Sequence, residues 1–421
     1  MVALSGTVAA CGGDEEPAPP SAPGTDEPAE SGGGTINLYS SLPLTGASRP
    51  QSEDVVNGIE LALKQVGGEA GGFTINYESL DDATAAAGQW DAAQTKANAR
   101  EVAQDDAAIA YIGEFNSGAS ANSIPTLNEA NILQVSPSNT ALGLTKAGDG
   151  AEPGEPDKYY PAGTRTYGRV VPIDTIQGAA QAQFMKDEGV TSVYILDDNE
   201  VYGKGVAANT ATSVEEIGIE IAGTDSWDGK AANFRALADK VAATDADAVF
   251  TGGIIDNNAP QLYKDLNAAL PEAKLFGPDG VATVDFTKEL PPEVQAQTFI
   301  TSPTVSPEEL PPDGQKFYDD FSAEYDQAPD EVDPYAIYGY EAARVIIDCI
   351  EESGDSIDAE DLAGGGRQAV IDCFFATENR DSPLGTYSID DDGDTTLTTY
   401  GGYVAKGGKL VFQKAIEQEG A

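Results

Sequence analysis

Histidine is absent from this 421-residue chain, and cysteine (three), methionine (two) and tryptophan (two) are scarce. Without histidine, every Ser-His-Asp and Cys-His catalytic scheme is excluded, and so is the commonest zinc ligand. Positive charge is thin as well: 23 Lys+Arg stand against 71 Asp+Glu, a formal charge of −48. A nucleic-acid partner requires a basic surface and is excluded on that ground. No run of 18 apolar residues occurs, so no segment reads as a membrane span. What is present is 40% hydrophobic residues, enough for a globular core, so the acidity belongs to a folded surface. Two explanations of it stay open. One is adaptation to salt, where screening shortens to about 3 Å at 1 M; the other is an acidic surface with no such meaning.

Val8-Ala9-Ala10-Cys11 has the order of a bacterial lipobox, an aliphatic residue and two small ones before the cysteine to be lipidated. No Lys or Arg precedes Cys11, and residues 1–11 read as a truncated lipoprotein signal. Residues 12–34 hold only Gly, Pro, Ala, Ser, Thr, Asp and Glu, a composition that buries nothing and reads as a disordered tether. Lipid-modified Cys11, tether and folded domain together predict an extracytoplasmic protein anchored to the outer face of the cytoplasmic membrane. Each buried methylene of the lipid is worth about 0.8 kcal/mol there. In that compartment Cys349 and Cys373 read as a disulfide, the alternative being two buried free thiols.

From Thr35 onward β-rich runs alternate with amphipathic stretches of helical length. Strands are predicted at Thr35–Leu42, Phe73–Leu80, Ala108–Gly113 and Ile132–Val135, with helices at Ser52–Val66, Gln89–Gln104 and Ser117–Ala130. In the first helix Val55, Val56, Ile59, Leu63 and Val66 recur at intervals that line one buried face. After a Gly/Pro-rich insertion at Thr145–Gly163 the alternation resumes, with strands at Val190–Leu196, Ile219–Asp225, Ala248–Thr251 and Lys274–Phe276. Helices are predicted between them at Tyr202–Ile217, Asn233–Ala243 and Ala259–Leu270. Pro311–Arg380 reads as mostly helical, and Tyr400–Lys414 as a hairpin turning at Gly407-Gly408. Such interleaving predicts parallel sheets covered on both faces, in two doubly wound lobes with several chain crossings between them. No period of 20–50 residues repeats, so a solenoid is excluded.

In open α/β sheets, ligands sit beyond the carboxyl ends of the strands. That rule selects loops such as GEFNSGAS, SPSNT, DDNEVYGKG and GPDGVA. Ser117 and Thr140 lie at strand ends beside helix starts, where hydroxyls and backbone N–H groups suit a carboxylate. Asp279, flanked by Gly277-Pro278 and Gly280, is placed to take an ammonium. Plainer roles stand beside these: Ser117 as a helix N-cap, Asp279 as a turn residue, Tyr202 as packing at a helix start. Catalysis by Ser117 has no histidine to support it. Asp390-Asp391-Asp392-Gly393-Asp394 looks like a calcium loop but lacks the Glu at position 12, and a β-turn is the expectation.

Over about residues 35–414 the chain resembles the substrate-binding proteins of branched-chain amino acid ABC transporters, the type I periplasmic binding proteins. The resemblance rests on Tyr111-Ile112-Gly113 with Asn116-Ser117, on Ser136-Pro137-Ser138-Asn139-Thr140, and on the run from Arg169 to Gly178. Asp198-Asn199-Glu200-Val201-Tyr202-Gly203-Lys204-Gly205 and Phe276-Gly277-Pro278-Asp279-Gly280-Val281 complete it. It implies an α/β clamshell with an N-terminal lobe of residues 35–171 plus 304–398 and a C-terminal lobe of 172–303 plus 399–421. It also implies a ligand carboxylate held by Ser117, Thr140 and the backbone around Ser138, with Asn116 and Asn139 in the same loops. Tyr202 would line the cleft from the second lobe, and Asp279 would meet the α-ammonium. Two positions depart from the leucine-binding pattern: Gln51 where an aromatic is usual in the first loop, and Ile254 where a tyrosine follows the Gly-Gly pair. The function implied is non-enzymatic capture of an amino acid and delivery to a permease by a monomer without cofactor or metal. The alternative is a sensory protein of the same fold for amides, urea or other small solutes.

Overall fold

The computed structural model describes residues 33–418; the expected signal, Cys11 and nearly all of the expected tether lie outside the described residues. The chain builds two sheets. The first has the order Glu69–Ala70, Phe73–Asp81, Thr35–Leu42, Ala108–Gly113, Leu133–Ser136 and Tyr167–Arg169. Apart from the antiparallel edge Glu69–Ala70, its strands run parallel, with Leu38 opposite both Tyr77 and Ala110. The second has the order Glu220–Ser226, Ser192–Asp197, Ala248–Gly252, Lys274–Gly277, Thr298–Ser302, Thr399–Lys406 and Lys409–Glu417. Its first five strands are parallel and the last two antiparallel.

Alternation along each strand feeds a core on either side. Ile36 and Leu38 enter the core beneath the helices Arg49–Gln65 and Ala336–Ser353, while Tyr39 enters the one beneath Ala92–Gln104 and Ser117–Glu129. Likewise Val193 and Ile195 pack on one face of the second sheet, and Tyr194 and Leu196 on the other. All six residues of Ala108–Gly113 are buried, as a central parallel strand covered twice must be. The chain leaves the first sheet after Arg169 and leaves the second after Ser302. Phe317, Tyr335 and Ile346 then pack back into the first core before the chain re-enters the second sheet at Thr399. This is the doubly wound, two-lobed α/β architecture with multiple crossings. No described helix is long and apolar enough to cross a membrane.

Several elements differ from the sequence reading. Gln89–Trp90 is a short strand paired with Ala83–Thr84, and the helix starts at Ala92 because the Asp91 carboxylate accepts from the N–H groups of Ala93 and Gln94. The first helix begins at Arg49, three residues early, since Pro50 is tolerated in a first turn. Strands Tyr167–Arg169 and Thr298–Ser302 carry no readable alternation. Every residue in both is buried; inside the second, the Thr298 hydroxyl donates to the Val294 carbonyl four residues back, whereas the Thr301 hydroxyl accepts from Gln177 Nε2 of a distant helix. The helical return segment resolves into Pro312–Tyr325, Ala336–Ser353 and Gly366–Phe375. The terminal hairpin turns at Gly407 and Gly408, with φ of +63° and +73°, the left-handed pair that a tight hairpin requires.

Cys349 and Cys373 are joined by a disulfide with a Cα–Cα distance of 5.6 Å, linking the last two of those helices. The acidic run at Asp390 is a turn: Asp390 Oδ1 accepts from the N–H groups of Asp392 and Asp394, both at 2.9 Å. The remaining oxygen of Asp390 pairs with Lys146 at 2.7 Å, and Asp394 pairs with Arg169 Nε at 2.8 Å. Among the described residues no group of three or more His, Cys, Asp or Glu is arranged to hold a metal ion.

Candidate functional site

The parallel strands end toward the seam between the lobes, and short loops there pass into helix starts. In the first lobe the loop Glu114–Asn116 leads into the helix Ser117–Glu129. Buried side chains hold this loop. Ser136 Oγ donates to the Glu114 carbonyl at 2.9 Å, and Ser138 Oγ donates to that of Phe115 at 2.8 Å. Asn139 Nδ2 donates to both carbonyls, at 3.0 and 2.8 Å, and Asn139 Oδ1 accepts from Tyr167 at 3.0 Å. The Asn116 side chain at the N-cap does not cap the helix, so its first N–H groups keep the partial positive charge of a helix start. Behind it Arg169, fully buried, donates to the carbonyls of Asn139 and Ala141 and pairs with Asp394.

In the second lobe Tyr202 stands on the first turn of the helix Val201–Glu216, and its hydroxyl donates to Asp279 Oδ1 at 2.7 Å. The Gly280 N–H donates back to the Tyr202 oxygen at 3.2 Å. The other oxygen, Asp279 Oδ2, accepts from the hydroxyl of Tyr335, which belongs to the first lobe and meets Phe115 edge to face at 5.4 Å. Asp279 is 4% exposed; burial raises its pKa, and the donors Tyr335, Tyr202 and Gln177 oppose the rise. The gap so formed holds about 30 Å³ and is lined by Phe115, Asn116, Ser117 and Ser138 on one side, Tyr202, Ile254, Asp279 and Gly280 on the other, with Tyr335 between them. Among the described residues no Lys or Arg lines it.

Five of the residues singled out in the sequence, Asn116, Ser117, Ser138, Tyr202 and Asp279, are thus brought together. Three are not. Gln51 lies in an adjoining groove of about 380 Å³ with Thr283, Asp285 and Asp333. Asn139 lies behind the gap as a support for the loop. Thr140 is fully buried, and its carbonyl accepts from the N–H of Asp174 at 2.8 Å. That Asp174 carboxyl is fully buried, and burial pushes its pKa up to about 8, the nearby Thr140 hydroxyl opposing the rise. Sequence reasoning missed Tyr335, Phe115 and Asp174. Phe115 lay inside a loop already selected, and Asp174 inside the Arg169–Gly178 run with no role assigned to it, whereas Tyr335 sits at a helix start that carries no pattern of its own.

Two doubly wound lobes, with an uncapped helix start on one and a buried carboxylate on the other facing a shared gap, define the class of two-lobed solute-binding proteins. Residues 37–409 match the family described as Periplasmic binding protein, and the chain belongs to that family. Among curated relatives, the leucine-, isoleucine-, valine-, threonine- and alanine-binding protein of Pseudomonas aeruginosa is 25% identical over 366 residues, 86% of this chain and 87% of that one. The Leu/Ile/Val-binding protein BraC3 of Rhizobium johnstonii is 25% identical over 380 residues, 90% and 93% of the two chains. Among solved structures, the leucine-binding protein LivK of Thermotoga maritima shares the fold with a TM-score of 0.77 at 20% identity, covering 91% of this chain and 99% of that one. A solute-binding protein of Rhodopseudomonas palustris in complex with 3,4-dihydroxybenzoic acid follows at 0.71 and 17%, covering 91% and 97%.

Proposed function

We propose that this protein is the lipid-anchored, extracytoplasmic substrate-binding component of an ABC importer, capturing an amino acid of the branched-chain type or a related solute. The lobes are taken as residues 35–171 with 304–398 and 172–303 with 399–421, Cys11 as the lipid-bearing residue, and the working unit as a monomer that passes its load to a permease without chemistry. One observation carries the reading. The start of the Ser117 helix and the Asp279 carboxylate face each other across one gap, an anion-favouring edge opposite an ammonium acceptor. The names of the relatives support the amino acid class.

The gap of about 30 Å³ is far smaller than an amino acid. Entry therefore requires the lobes to part and Tyr335 to release Asp279, whose oxygen an α-ammonium then takes. Closure over the zwitterion desolvates both its charges, so contacts from both lobes favour the closed form. Calorimetry of the purified protein against the twenty amino acids tests this. Heat is expected from small aliphatic members, and silence from all twenty refutes the amino acid class. Hydroxybenzoates, ligands of proteins with the same fold, are the contrast: without an ammonium to meet Asp279 they are expected to stay silent.

A further inference from the structure

Away from the ligand gap, the lobes also meet at the start of the first helix. Asp256, in the turn Ile255–Asn257 of the second lobe, reaches across to Ala47 and Ser48 of the first. Its Oδ1 accepts from the Ala47 N–H at 3.0 Å and the Ser48 N–H at 3.2 Å, and its Oδ2 accepts from the Ser48 hydroxyl. The helix Arg49–Gln65 otherwise lacks N-terminal support: the Ser48 hydroxyl does not cap it, and no acid stands in its first turn. The negative group that a helix start favours thus comes from the opposite lobe.

Both sides of this contact are fixed in advance. Gly46 holds φ at +107°, and a Cβ there would fall 2.0 Å from the Gly88 carbonyl and 3.4 Å from Asp256 Oδ1, so only glycine lets the loop come this close. On the other side the buried Asp198 carboxylate accepts from the Ile254 N–H at 3.1 Å and from Asn257 Nδ2 at 2.8 Å. Trp227 Nε1 donates to the Asn257 carbonyl at 2.9 Å. Asp256 is therefore delivered by a braced turn, and its bonds exist only while the lobes are together.

We propose that Asp256 is a closure latch, a positioning residue that retains the captured solute without touching it. Its contacts vanish on opening, so they add to the closed state alone and act on escape more than on entry. The retention part rests on the binding reading above; the latch itself does not.

Hydrogen exchange on the full chain, read at the Ala47 and Ser48 amides, tests the latch. Asp256→Ala is expected to exchange them at least about tenfold faster than the parent, and Asp256→Asn at an intermediate rate. Rates equal to the parent in both variants overturn the proposal. Should Asp256→Ala fail to fold, Asp256→Asn combined with Ser48→Ala is judged by the same criterion. A second arm uses L-leucine in stopped flow, where Asp256→Asn is expected to release it about tenfold faster with little change in uptake. Faster exchange with unchanged release overturns the retention role. If the parent binds no leucine, the release arm is run with whichever of the twenty amino acids gives heat in calorimetry; if none does, the binding reading is at fault, and the exchange arm still decides the latch.

Discussion

Asp279 carries the largest consequence of any single side chain here. Both its oxygens are bonded to tyrosine hydroxyls, and among the described residues it is the one acid lining the gap. Replacing it with asparagine keeps the shape and removes the charge that an ammonium needs. Asp279→Asn is expected to weaken amino acid binding by about 2–5 kcal/mol in calorimetry, the range for losing one partner of a buried charge pair. A second prediction concerns Arg169, buried with its charge answered by Asp394, its Nη1 on the carbonyls of Asn139 and Ala141 and its Nη2 on the Thr145 hydroxyl. Asp394→Ala leaves that guanidinium uncompensated and should cost about 3–5 kcal/mol in denaturant unfolding. Ser117 and Asp279 were legible in the sequence because they sit in Gly-containing loops at strand ends. Tyr335 was not: its role depends on a distant segment meeting Asp279 56 residues away, and nothing local encodes that meeting.

Among the elements, the helices Ala336–Ser353 and Gly366–Phe375 illustrate what chain order alone leaves open. Their strongest mutual restraint is the Cys349–Cys373 disulfide across a sequence separation of 24. Cys349→Ser with Cys373→Ser is expected to lower stability by about 3 kcal/mol, mainly by releasing the unfolded chain, and urea unfolding of the two forms measures it. Long strands and amphipathic helices were readable because their periods are built into the residues. The three-residue strand Tyr167–Arg169 was not, since a strand buried on both faces and so short shows no alternation. The helix starting at Ala92 was read too early because Asp91, which caps it, sits inside a run that is otherwise compatible with helix.

At the scale of the whole molecule, charge sets the response to conditions. With −48 formal charges, the folded form repels itself more than the expanded one, so the melting temperature is expected to rise from low to molar salt as screening shortens. A flat profile argues against that repulsion as a significant term. Acid dependence follows from buried carboxyls. Burial pushes Asp174 and Asp333 up to about 8 and Glu114 up to about 7, so between about pH 4 and 8 the folded form binds more protons than the unfolded one. Stability contributed by their neutral forms is present at the acid end of that window and lost as pH rises through it. Thermal unfolding is therefore expected several degrees higher near pH 5 than near pH 8.

The residues by themselves determined the α/β class, the absence of histidine chemistry, the family resemblance and most of the loops that form the gap. Those properties follow from composition and from short-range periodicity, which each segment carries independently of the rest. Only the tertiary structure decided that Gln51 faces a neighbouring groove, that Thr140 backs onto Asp174, and that Tyr335 and Asp256 bridge the lobes. These are meetings between segments dozens to hundreds of residues apart, and their geometry is set by how two sheets pack and hinge, a quantity no local pattern contains.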